Sequence, residues 1–158
     1  MKRLFAVATM LAVTGLGVGV GCGDEGQSSH DEFSDRLQSI HRQGSELWGR
    51  LAEQAGDLKP GQPLPADVRQ PMREMVEFQR STVEELEGLD VPHGAEEEVQ
   101  EFVDALRERT RLFEKAAEAG RFTQQGSEQL TQAGEKIDAV FQQLRAEGFL
   151  PSVEEHEE

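Results

Sequence analysis

The chain has 158 residues, with 31 Asp and Glu against 16 Lys and Arg, and a formal net charge of −15 at pH 7. That charge excludes nucleic acid and anionic lipid surfaces as direct partners, because both repel it. A single cysteine excludes an internal disulfide framework and the two-cysteine attachment of haem.

The segment from Met1 to Gly21 reads as an export signal. Lys2 and Arg3 form a charged start, no charged side chain follows until Asp24, and the run LFAVATMLAV suits a translocon but is short for a bilayer span. Glycines at 15, 17, 19 and 21 weaken its far end further as a membrane helix. Cys22 then stands between this signal and the polar stretch GDEGQSSH, with no second thiol to pair with and no apolar neighbours to pack among.

Gly19, Val20, Gly21 and Cys22 resemble the bacterial lipobox, in which small residues precede a cysteine that is lipidated and becomes the new N-terminus. The sequence departs from that pattern at Gly19, where Leu is commonest. The resemblance implies cleavage before Cys22 and acyl chains on it. Each buried methylene contributes about 0.8 kcal/mol, so two or more chains hold a protein firmly at a membrane.

Leu, Ile, Val and Phe in the remainder lie close to the roughly one-fifth of residues below which highly charged chains stay unfolded, so periodicity has to decide. It decides for helices. Residues 22 to 30 carry no apolar member after the cysteine and read as a flexible tether. Phe33, Leu37, Ile40, Leu47 and Leu51 then recur at helical spacing, with Gly44 as the missing member of the stripe, and predict a first helix over about 31 to 56. GDLKPGQPLP must be a loop. A second helix starts near Gln70 or is kinked at Pro71, carries Val68, Met72, Met75 or Val76, Val83 and Leu86, and holds Gln79 and Thr82 in mid-stripe. Gly88 ends it.

Pro92 in GLDVPHGA both stops that helix and helps start the third, over about 95 to 119, with Val99, Phe102, Val103, Leu106, Phe113 and Ala117. Gly120 is its C-terminal cap, and Glu96, Glu97 and Glu98 suit the positive end of the dipole. Thr123 or Ser127 starts the fourth helix, Leu130, Ala133, Ile137, Val140, Phe141 and Leu144 form its stripe, and Gly148 stops it. Such segments bury their stripes most simply as an all-α, antiparallel four-helix bundle over residues 31 to 150, followed by an acidic, disordered tail at 151 to 158.

The run ELEGLDVPHGAEEEVQEFVDALRE, with Leu86, Leu89 and Pro92, resembles the Leu-x-x-Leu-x-x-Pro hairpin of small secreted bacterial lipoproteins of unknown function. That resemblance implies a helical-bundle lipoprotein and transfers no active residue. Leu130 and Thr131 open like the Leu-Thr-x-x-Gln motif of helical envelope chaperones, but Gly134 stands where that motif has Gln.

No catalytic motif is present, no Glu-x-x-His pairs suit a di-iron site, and no cofactor is expected. His30 beside Asp31 and Glu32, and His156 among Glu154, Glu155, Glu157 and Glu158, are the only metal-like groupings. They lie near the termini, where ordered backbone is not expected to hold three or four ligands, so no metal site is assigned. His41 and His93 read as surface residues. The expectation is a non-enzymatic envelope lipoprotein, held to the membrane through Cys22, that binds a cationic protein or a small molecule. The alternative is a metal-handling or stress-sensing protein that uses the His- and Glu-rich termini.

Overall fold

The computed structural model of the chain describes residues 24–56 and 58–152. The expected export segment, Cys22, and the tail from 153 onward, His156 included, lie outside the described residues. The structure is all-α: α1 is Asp24–Ala55, α2 Arg69–Glu87, α3 Glu96–Ala119 and α4 Gln124–Ala146.

Local chemistry accounts for most of the boundaries. Pro71 is the third residue of α2, within the first turn, where a missing N–H deprives no carbonyl of an intrahelical bond. The Glu96 carboxylate, in the first turn of α3, accepts from the Gly94 amide and from His93 Nδ1 at 3.0 Å. These bonds, the one from His93 foremost, hold the Glu96 carboxyl below its ordinary pKa. Gly120 ends α3 at φ 66°, a left-handed conformation that costs a residue without Cβ little. At the start of α4 the Thr123 hydroxyl accepts from the Gly126 amide at 2.9 Å.

One boundary differs from expectation. Helix α1 reaches back to Asp24, so residues 24 to 30 are helical and not a tether. A turn with no apolar residue shows no period, yet an existing helix extends at the gain of one backbone bond per residue. The His30 ring also stacks on Phe149, with ring centroids 5.9 Å apart, and Phe33 meets the same ring edge-on at 6.5 Å. At the other end, Pro151 and Ser152 are exposed and outside any helix.

Neighbouring helices run antiparallel. Arg36 pairs with Glu85 and Arg50 with Glu74 between α1 and α2; Arg80 pairs with Glu114 and Arg107 with Glu87 between α2 and α3. Gln143 Nε2 donates to Glu98 Oε1 at 2.7 Å between α4 and α3. At the far end, the loop before α2 is laced to the loop before α4: the Gly61 amide donates to the Phe122 carbonyl and the Leu64 amide to the Gly120 carbonyl, both at 2.7 Å. Leu64 is buried beneath this brace.

The fourth seam stays open. Every Cα of α1 lies more than 8 Å from every Cα of α4, and among the described residues no ion pair joins these two helices. Packed helices usually sit with axes 8–10 Å apart and backbones in closer touch than this.

The interior is correspondingly in two parts. One cluster gathers Phe33, Leu37, Phe102, Leu106, Phe141 and Leu144 at the end where α1 begins. The other gathers Leu51, Leu64, Val68, Met72, Met75 and Phe113 at the laced end. Phe78 packs against both. Between them lie buried polar groups: the Thr110 hydroxyl is 2.9 Å from both Gln79 Oε1 and the Leu106 carbonyl, and Thr82 is buried nearby in sequence on α2. The polar members of the second stripe are therefore interior residues, and Met75 rather than Val76 is the buried member.

Gly44 lets α1 lie close against α2, since a Cβ there would stand 3.3 Å from the Phe78 ring, whereas one at Gly49 would meet nothing within 4 Å. Replacing a mid-helix glycine by alanine is worth about 1 kcal/mol of propensity. Gly49→Ala is thus expected to stabilise the protein by about 1 kcal/mol, and Gly44→Ala by clearly less because Phe78 must move. Urea unfolding of the two variants beside wild type measures the difference.

Candidate ligand groove

The open seam forms a groove of about 580 Å³ that draws on all four helices. Its size falls within the usual range of small-molecule sites. Ile40 on α1, Phe78 on α2, Phe102 and Leu106 on α3, and Ile137 and Phe141 on α4 make an apolar floor. The lips include small residues, Gly44, Ser45 and Gly49 on α1 and Ser127, Thr131 and Gly134 on α4, beside larger ones. Side chains this short do not fill the space between the two helices.

Trp48 stands at the upper part of the groove. It is 43% exposed, the large apolar residue most open to solvent among those described, and its ring lies 6.3 Å from that of Phe113. Over it sits the Arg109 guanidinium, with Cζ 5.9 Å from the indole centroid. Arg109 is largely buried. Desolvation pushes its pKa down to about 10, partly opposed by the charge of Asp138, so it is still a cation at neutral pH. Its Nε is buried without a hydrogen-bond partner, and no carboxylate among the described residues comes within ion-pair distance of it. The cation–π contact offsets only part of the cost of desolvating a charge.

Lower in the groove, His41 is half-buried and not a free surface residue. Its ring centroid is 4.7 Å from that of Phe141. Burial lowers its pKa first and the Arg145 charge second, while Asp138 acts in the opposite sense. Asp138 and Glu135 line the groove on exposed positions of α4.

Of the two histidines considered for metal, His156 lies outside the described residues and His30 is engaged with Phe149. His93 is exposed and bonded to Glu96, and no cluster of three or more His, Cys, Asp or Glu suited to a metal occurs among the described residues. No helix among them is long and apolar enough to cross a membrane.

The residue that sequence reasoning missed is Arg109, although a signal for it exists. Phe102, Leu106, Arg109 and Phe113 follow one another at steps of four, three and four, so Arg109 occupies a core position of the α3 stripe. A cation there is out of pattern. Gly44 was legible as a gap in the first stripe, and the groove is what that gap opens onto. No family model, characterised protein or solved structure matches this chain, so its chemistry is read from its own residues.

A lowered folded-state pKa at His41 means that the unfolded chain binds the proton more tightly. Stability contributed by neutral His41 is complete above its unfolded pKa and falls as pH drops through that value towards the lower folded one. Between pH 7 and 5 the wild type is therefore expected to lose stability relative to His41→Gln. The comparison by urea unfolding cancels changes common to both proteins, including relief of acidic self-repulsion.

Proposed function

We propose that the protein is a lipid-anchored lipoprotein of a bacterial envelope, tethered through Cys22, whose helical bundle holds a small apolar molecule in the seam between α1 and α4. The observation that carries the binding half is the groove itself: a volume of about 580 Å³ with an apolar floor, open between α1 and α4. The anchoring half rests on Cys22 and its place between an export-type segment and the first helix.

Among the described residues His41, Arg109, Glu135 and Asp138 form no hydrogen bond or ion pair with one another. A lipid anchor fits this role, because the acidic domain has no affinity of its own for an anionic membrane. Helix α1 begins two residues after Cys22, which would keep the bundle close to the bilayer.

Full-length protein expressed in a bacterium is expected to partition into detergent, with a mass that shows cleavage before Cys22 and added acyl chains. A Cys22→Ser variant is expected to lose both properties. Retention of residues 1–21 in both proteins, or solubility of both, would remove the anchor from the proposal.

A further inference from the structure

We propose that the ligand of the α1–α4 groove is an apolar carboxylate whose carboxyl group is received by Arg109 and whose hydrocarbon body lies along the Phe78, Phe102, Leu106 and Phe141 floor. This rests on the reading of the groove as a ligand site and adds the chemical class of its occupant.

Three observations select an anion. Arg109 lines the groove and is largely buried, yet its Nε has no partner and no carboxylate pairs with it. A desolvated guanidinium in that state is costly, and the partner it lacks is a planar acceptor, which a carboxylate matches through two parallel bonds. Trp48 lies against the guanidinium, and Arg109 lines the groove that a ligand would enter.

The overall negative charge does not oppose this assignment. Exposed charges farther away than the Debye length, about 8 Å at physiological ionic strength, are largely screened. Glu135 and Asp138 line the groove itself, and Asp138 acts on Arg109, but both are exposed to water and neither forms an ion pair with it. The rest of the floor is aliphatic and aromatic, so selectivity arises from one charge contact and an apolar volume. Small inorganic anions would leave that volume unfilled and gain nothing from it.

Trp48 is the only tryptophan in the chain and reports on the site directly. The full chain is studied as isolated, in phosphatidylcholine vesicles if membrane-bound and in buffer if soluble, with dodecanoate and dodecanol as probes at matched free concentrations at pH 8. Dodecanoate is expected to shift Trp48 emission saturably at concentrations at least about tenfold below those of dodecanol, about 1.4 kcal/mol of discrimination. In Arg109→Gln the two midpoints are expected to converge on that of dodecanol, and in Arg109→Lys part of the difference returns. Equal midpoints in wild type would overturn the carboxylate assignment while leaving a ligand groove in place. No response to either probe would overturn the groove as a ligand site as well.

Discussion

The arrangement depends on one misfit charge. Arg109 takes a place on the α3 stripe where Phe102, Leu106 and Phe113 set the expectation of an apolar side chain, and at its level the interior is interrupted. The two apolar clusters lie on either side of it, and the Gln79–Thr110 pair crosses from α2 to α3 at the same height. A fully packed four-helix interior would bury an Arg there without a partner on every side. With the α1–α4 seam open, the guanidinium lies against the Trp48 ring and lines the groove.

The polar links between helices lie away from that seam. The ion pairs between helices join α1 to α2 and α2 to α3, and the Gln143–Glu98 bond ties α4 to α3. Exposed pairs of this kind contribute little each, on the order of 0–1 kcal/mol, so the apolar clusters must carry most of the stability. At one end α1 meets α4 through His41 and Phe141, and meets the segment after α4 through Phe149, which touches both His30 and Phe33. Beyond those contacts the small residues Gly44, Gly49 and Gly134 leave the seam unfilled. Contact at one end and opening above it leave the groove between the two helices.

Much of the fold was legible in the sequence because each helix carries its own stripe and its own stop signals. Pro71, Gly120, Thr123 and Gly148 mark boundaries through chemistry that acts locally, and the structure places them at or beside helix ends. The start of α1 was not legible, since the polar turn 24–30 has no apolar residue to reveal a period. Gln79 and Thr82 could be seen to interrupt a stripe, but whether they face a cavity or each other's neighbours depends on α3, which supplies Thr110. The groove was least legible, because periodicity says which face of a helix is buried and not which two helices fail to meet. Even so, Gly44 on one stripe and Arg109 on another were both visible departures from pattern, and they converge on the same site.

If Arg109 is kept for binding rather than for folding, an apolar residue of similar length should serve the fold better. The most direct measurement is the urea unfolding free energy of Arg109→Met beside wild type, without ligand. Removing an unpaired buried cation and restoring the α3 stripe predicts a gain in stability, on the order of 1 kcal/mol or more. A loss of stability in Arg109→Met would contradict the central claim, because it would mean that the guanidinium holds the bundle together and has no vacancy to offer a ligand.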